Sequence, residues 1–328
     1  MQLSSPFGLF LGAIVLLLCL FSSVAYGAAD ISLDTVFAAL TNFDGSANHS
    51  IVQTVRLPRA LVAILVGAAL AVAGAIMQGL TRNPLADPAI LGLEAGASLA
   101  VVIAIFLFGS SSSSNYVGFG LIGAGVTAVA VYWLGSLGRG GLTPLNLKIV
   151  GAALTALFYS LTTGILIINQ RTLDEIRFWL AGSIAGRDFS MLNQVLPYIL
   201  VGLVMAFALG KQITILNLGE DVAKGLGQST AWVKAIAAVS VVLLTGSAVA
   251  IAGPIWFVGL VVPHIVRFIS VDYRWILPYA AIVGAILLLL ADTSSRVLLA
   301  PQELPVGTMT ALVGAPFFLY LVQSKVKR

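Results

Sequence analysis

Two arginines three residues apart, Arg56 and Arg59, flank a proline at the mouth of an apolar run. That spacing projects both from one face of a helix start, and the planar fork of a guanidinium suits carboxylates better than an ammonium does. With Arg296 on a second turn of the same side, the three are predicted to face outward as a positive patch for an acidic external partner. The plainer alternative is snorkelling toward external headgroups. Groupings that would break or make bonds are missing from the sequence. No G-x-x-x-x-G-K-[ST] loop is present to cradle nucleotide phosphates, and no G-x-G-x-x-G follows a strand, so no nucleotide hydrolysis and no cofactor are expected. His49 lies in a loop and His264 beside Pro263 in an apolar stretch, at unrelated depths, which does not make a pair of axial haem ligands. Neither histidine gathers cysteines or carboxylates as a metal site would, and Cys19, the single cysteine, excludes an internal disulfide. Asp87, Glu94, Asp292 and Arg296 fall near span ends rather than at mid-depth, which weakens a proton relay and leaves ion-coupled secondary transport as the alternative class.

The elements that must position these residues are overwhelmingly apolar. Of 328 residues, 59% are hydrophobic and 9% charged, where a soluble domain carries roughly a quarter charged. Mean hydropathy is +1.04. Lipid leaves the backbone only internal partners, so recurring apolar runs of this length read as an all-α integral membrane protein. Ten candidate spans emerge, near 7–28, 58–79, 90–108, 117–135, 149–168, 191–209, 232–252, 254–269, 277–292 and 306–323, the eighth short and interrupted by Gly253-Pro254 and Pro263. They leave no room for a separate soluble module, so residues 1–328 form one transmembrane domain. The first span ends in small residues, Ala25 to Ala28, like a signal-peptide cleavage site, but no Lys or Arg precedes it, and it is expected to stay uncleaved.

Charge gives the topology. The net charge of +4 contains no basic run longer than Lys325-Val326-Lys327-Arg328, which argues against nucleic-acid binding. With the N-terminus inside, eleven cations fall on one side (Arg82, Arg139, Lys148, Lys211, Lys224, Lys234, Arg267, Arg274, Lys325, Lys327, Arg328), and six on the other (Arg56, Arg59, Arg171, Arg177, Arg187, Arg296). The positive-inside rule makes the first side cytoplasmic and places both termini there. The external loops are then 30–59, 110–115, 169–190 and 293–305, and the longest cytoplasmic connection is 211–234. Within it Leu216, Leu218, Val222 and Leu226 recur at near-helical spacing around Glu220, Asp221 and Lys224. This reads as short amphipathic helices outside the bilayer, either a surface element or a docking element for a cytoplasmic partner.

Several long motifs then occur in order: Arg56-Leu57-Pro58-Arg59, Val66-Gly67-Ala68-Ala69-Leu70, Met77-Gln78-Gly79-Leu80-Thr81-Arg82-Asn83-Pro84-Leu85-Ala86-Asp87-Pro88, Phe257-Val258-Gly259-Leu260-Val261-Val262-Pro263-His264, Leu288-Leu289-Leu290-Ala291-Asp292 and Glu303-Leu304-Pro305-Val306-Gly307. From about residue 51 onward the chain resembles the FecCD family, permeases of ABC importers for iron–siderophores, haem and cobalamin. The resemblance implies a ten-helix subunit, in the cytoplasmic membrane of a bacterium, that pairs with a second permease subunit, two cytoplasmic ATPases and an external binding protein. It implies that Arg56, Arg59 and Arg296 receive acidic residues of the binding protein. It matches Leu218, Gly219, Glu220, Asp221, Ala223, Lys224, Leu226 and Gly227 to the coupling helix seated on the ATPase, and Asn83, Leu85, Thr143 and Pro144 to the cytoplasmic gate. The pathway would run along the subunit interface beside the fifth and tenth spans. The stretches Arg177 to Ser183 and Thr81 to Pro84 are most similar to members that carry a ferric siderophore, with haem or cobalamin as the alternative cargo.

Overall fold

The computed structural model describes residues 6–27, 31–109, 113–137, 143–298 and 302–326, and every regular element among them is helical. Helix α1 (Pro6–Ala25) is followed by the short α2 (Leu33–Thr41) and α3 (Ala47–Ile51), and one π turn (Val52–Arg56) feeds α4 (Leu57–Thr81). Then come α5 (Leu93–Phe108), α6 (Ser113–Ser136), α7 (Pro144–Ile168), α8 (Gln170–Leu180) and α9 (Phe189–Ala208). Two short helices, α10 (Gly210–Asn217) and α11 (Glu220–Gly225), precede α12 (Thr230–Ala252), α13 (Val258–Val266), α14 (Tyr273–Val297) and α15 (Val306–Val326). Seven segments are long and apolar enough to cross a bilayer: α1, the α3–α4 run, α6, α7, α9, α12 and α14; α5 and α15 are apolar but shorter. The protein is therefore a multi-pass membrane protein.

Nine of the ten expected spans coincide with helices, and the tenth is a correction. Over 254–269 the helix is confined to the nine residues of α13, because residues 253–257 are extended. Gly253 takes φ 72° and Phe257 φ 73°, both left-handed, and Pro254 between them has no amide proton to give a helix. Non-helical backbone survives at this depth only where protein satisfies it. Here the carbonyl of Ala252 accepts from Ser183 N–H at 2.8 Å, and the carbonyl of Trp179 packs so closely on Gly253 that a Cβ there would collide. The supporting strap is α8, in a stretch read from sequence as loop. The Asn169 side chain caps it by accepting from Thr172 N–H at 2.9 Å, and Thr172, Ile176 and Trp179, one helical face, are its buried residues.

Helix α4 is the axis of the bundle and is 83% buried along its apolar window, against 17% for α1 and 11% for α7. Without a hydrophobic drive between helices, close approach depends on small residues. A Cβ on Gly67 would meet the carbonyl of Gly284 in α14, and one on Gly284 would meet the carbonyl of Gly67. One turn pair further on, Gly74 faces Gly259 of α13 in the same manner, and Gly79 abuts Ile213 and Tyr273. The axis thereby sorts the charges. Arg56, Arg59 and Arg296 collect with the end of α1 at one end of α4. Arg82 caps the other end, where Tyr273 packs on Gly79 and takes a hydrogen bond from Arg267 at 2.9 Å. Arg139, Lys327 and Arg328, counted in the topology, lie outside the described residues, as does much of the 110–115 loop.

Replacing Gly284 by Val is expected to force α14 off α4 along its length, at the upper end of the roughly 1–3 kcal/mol that overpacking costs. Thermal unfolding of the purified chain should show a loss of several degrees or failure to fold. Gly118→Ala, where a Cβ meets nothing within 4 Å, should be silent by comparison.

Candidate functional site

At the N-terminal end of α4 the structure corrects the outward-facing arginine patch. Arg56, Arg59 and Arg296 are 6%, 7% and 4% exposed, so none projects into solvent. Arg59 Nε donates to Asp292 Oδ1 at 2.9 Å and Arg59 Nη1 to Glu303 Oε2 at 2.7 Å. Arg296, one helical turn beyond Asp292, stands 3.2 Å from its Oδ2 and turns its Nη2 to the Ser23 carbonyl at 3.0 Å and the Ser23 hydroxyl at 2.9 Å. Its Nη1 reaches the Tyr26 carbonyl at 2.9 Å, while Arg56 Nη1 donates to the carbonyls of Val24 and Ala25 at 2.9 and 2.6 Å. Arg56 and Arg59 thus share one end of α4 but turn to different partners. What the spacing argument missed was the fully buried Asp292, 233 residues away in sequence from Arg59. A charge at such depth is tolerated only with a partner, which was the available signal: two arginines at a span mouth called for an acid, and Asp292 and Glu303 stood in the C-terminal motifs.

At the other end of α4 the chain leaves the helix through Arg82, in the left-handed region at φ 48°. The Asn83 side chain accepts from Leu85 N–H at 3.0 Å, an Asx turn that starts the loop 82–92. The loop packs on the first turns of α7. Gly151 lies against the backbone of Ile90 and Leu91, and Leu147 and Lys148 line a small cleft with Ala86 and Asp87. Helix α7 starts at Pro144 with Thr143 as its cap, whose hydroxyl accepts from Asn146 N–H at 3.1 Å. The two turns predicted as a gate are thus adjacent. Beneath them Gln78 Nε2 reaches the carbonyls of Gly259 and Leu260 at 3.3 and 3.4 Å, tying α4 to α13. Asp87 and Glu94 are 5% and 2% exposed and close enough for their charges to interact; among the described residues neither has an ion pair. Burial pushes the Asp87 carboxyl up to about 6, opposed by one hydrogen bond from Ala89 N–H.

The 211–234 connection folds as the amphipathic pattern required. Gly219, at φ 136°, breaks it into α10 and α11, and Gly227, at φ 80°, turns the chain into α12. Ala223 is fully buried under α11, whereas Leu218, Val222 and Leu226 at i, i+4 and i+8 are 69%, 48% and 65% exposed. Glu220 fixes α11 to the start of α12 through Lys234 Nζ at 2.6 Å and Thr230 Oγ1 at 3.2 Å, with Lys224 at 3.4 Å. Those cations, Lys234 first, hold the Glu220 carboxyl down at about 2. Asp221 lies beside it in the first turn, where a negative charge suits the helix dipole. The result is a rigid exposed apolar ridge at one end of a membrane bundle. The two histidines stand apart: His49 is buried 2.8 Å from Asp44, and His264 packs edge-on between Phe268 and Phe317.

The model of the FecCD transport family matches residues 15–324. The chain belongs to the FecCD transport family. It is 49% identical over 314 residues to the siderophore transport system permease protein YfiZ of Bacillus subtilis, covering 95% of this chain and 94% of that one. It is 41% identical over 306 residues to the ferric enterobactin transport system permease protein FepD of Escherichia coli, covering 93% and 91%. With the hemin transport system permease protein HmuU of Yersinia pestis it shares 39% over 328 residues, covering 96% and 95%. The solved structure of a metal-chelate type ABC transporter in an inward-facing conformation superposes with a TM-score of 0.85 at 30% identity, covering 98% of this chain and all of that one.

For this FecCD chain, Asp292→Asn removes the charge shared by two buried guanidinium groups and is expected to cost about 3–5 kcal/mol. Glu303→Gln, at the partly exposed edge of the same cluster, should cost below about 1 kcal/mol. Thermal unfolding in lipid nanodiscs would rank them, and equal losses would mean that the cluster does not hold the external end. For Asp87, a carboxyl that titrates near 6 when folded and near 3.8 when unfolded takes up its proton first in the native state. Stability should therefore rise as pH falls from about 6 toward 4 and be lost as pH rises through 6. Asp87→Asn should abolish that dependence and raise the unfolding temperature at pH 7.5; a wild-type-like pH profile would contradict it.

Proposed function

We propose that this chain is the permease subunit of an ATP-binding cassette importer that carries a ferric siderophore across the cytoplasmic membrane of a bacterium. The observation that carries the cargo is the identity of 49% with the siderophore permease YfiZ against 39% with the hemin permease HmuU. Haem and cobalamin form the second reading, supported by the hemin relative. The subunit would cross the membrane ten times with both termini inside, α5, α13 and α15 completing the seven long apolar segments. It would pair with a second permease subunit, identical or not, and ATP would be hydrolysed by two partner ATPases. Affinity for cargo belongs to an external binding protein, since a conduit that bound tightly would trap what it carries.

In this reading the ridge of Leu218, Val222 and Leu226 enters a groove of the ATPase, with Gly219 and Gly227 as its pivots and Glu220, Asp221, Ala223 and Lys224 holding its angle. Its motion reaches Asn83, Leu85, Thr143 and Pro144 through α10 and α12, and these residues form the cytoplasmic gate. The binding protein docks on the external mouth. Because Arg56, Arg59 and Arg296 are internally paired, they serve docking by fixing that mouth, and acidic residues of the partner would have to compete with Asp292 and Glu303 to reach them.

Reconstituted with its ATPase and binding protein, the chain should show ATP-dependent uptake of ferric siderophore and none of hemin; alone under a proton gradient it should transport nothing. Transport by the chain alone would install the secondary-transporter class. Leu218→Asp with Leu226→Asp should cut ATPase co-purification and uptake at least tenfold while leaving the unfolding temperature within a few degrees, and intact coupling would remove the ridge from the mechanism.

A further inference from the structure

The segment between α1 and α4 carries a helix that neither the bundle nor the transport reading employs. On a wheel of about 100° per residue, α2 sorts into three flanks. Val36 and Ala39 are buried against the bundle, Asp34 and Thr41 stand exposed on nearly the opposite side, and Leu33, Phe37 and Leu40 occupy a narrow arc between them. Leu33 and Phe37 are each 65% exposed, and the apolar band continues into the exposed rings of Phe43 and, at the end of α1, Tyr26.

Two observations identify what covers that band. The first is continuity: α1 ends at Ala25, eight residues before α2 begins, and its outer side is an apolar surface of Phe7, Phe10, Leu17, Leu18 and Phe21, of the kind a bilayer covers. The second is charge. No lysine or arginine precedes Arg56, whereas Asp30, Asp34 and Asp44 fall between α1 and α3. An acidic partner or an anionic headgroup would find nothing to hold here, while a neutral hydrocarbon boundary requires no charge. A helix with protein on one flank, water on the opposite flank and an uncharged aromatic-aliphatic stripe between them is built to lie in the membrane surface.

We propose that α2 is an interfacial anchor whose Leu33, Phe37 and Leu40 insert into the external leaflet at the boundary between headgroups and acyl chains. This fixes the height of the α3–π-turn segment, and with it Arg56, relative to the bilayer. The insertion requires only that the chain sit in a bilayer and is independent of which cargo passes; its assignment to the external leaflet rests on the topology proposed above. It also makes the attachment apolar, hence indifferent to salt and to anionic lipid.

The test uses the full chain in phosphatidylcholine nanodiscs, with Cys19→Ala as background and a nitroxide attached singly to Phe37→Cys, Leu40→Cys or Asp34→Cys. Accessibility to oxygen relative to a water-soluble nickel chelate should be several-fold higher at positions 37 and 40 than at 34, at low and high salt and with or without phosphatidylglycerol. Two labels on the stripe guard against one variant failing to fold, which monodisperse elution would reveal. Equal accessibility at 37, 40 and 34 would mean that the stripe faces water. Protection of 37 and 40 from both reagents would mean that a second copy of the chain covers it, and either result overturns the anchor.

Discussion

The contact between Gly67 and Gly284 sets the position of nearly everything else. With no side chain on either residue, α4 and α14 meet backbone to backbone, and the pair Gly74 and Gly259 repeats the device for α13. In lipid, apolar side chains gain nothing by leaving one apolar medium for another, so association rests on packing at short range. An axis held this way is enclosed, and it carries Arg59 at one end and Gln78 near the other, both buried. The arginine cluster and the loop 82–92 are therefore the two ends of one helix.

Charge placement obeys the same enclosure. Arg59 and Arg296 flank one buried carboxylate; the surplus donors of Arg59 turn to Glu303, and those of Arg296, like those of Arg56, to main-chain carbonyls at the end of α1. Arginine suits this because its fork reaches several acceptors at fixed angles while the positive charge remains delocalised; a lysine ammonium would leave some of those carbonyls without a partner. Such a cluster contributes a unique arrangement more than net stability, since the desolvation of three charges offsets much of their attraction. At the other end the buried carboxyl of Asp87 has no ion pair among the described residues, and burial raises its affinity for a proton instead.

The long apolar helices were legible because hydropathy over some twenty residues is a strong signal, and the ridge of α10 and α11 because its leucines keep helical period. Helix α8 was hidden by its polarity, although Thr172, Ile176 and Trp179 already held the spacing of a buried face. The broken stretch before α13 was announced by Gly253-Pro254, but that α8 would shore it up depended on contacts spanning some seventy residues. The arginines illustrate the limit best. Their types and their place at the start of an apolar helix could be read locally, but whether their side chains projected from the fold or turned into it was decided by Asp292 and by the carbonyls of α1, which no local pattern links to them.

Those same carbonyls bear on the order of assembly. Helix α1 ends on exposed main-chain acceptors that other helices commonly close with a glycine or with water. Here Arg56 and Arg296 supply the donors, and Arg296 lies 270 residues downstream of Tyr26. The last turn of α1 is thus finished in part by a helix made much later in the chain. Arg56 can close the carbonyls of Val24 and Ala25 early, but those of Ser23 and Tyr26 wait for α14, and a chain truncated before it would betray itself there, at a half-sealed helix terminus, before any defect in its apolar core became visible.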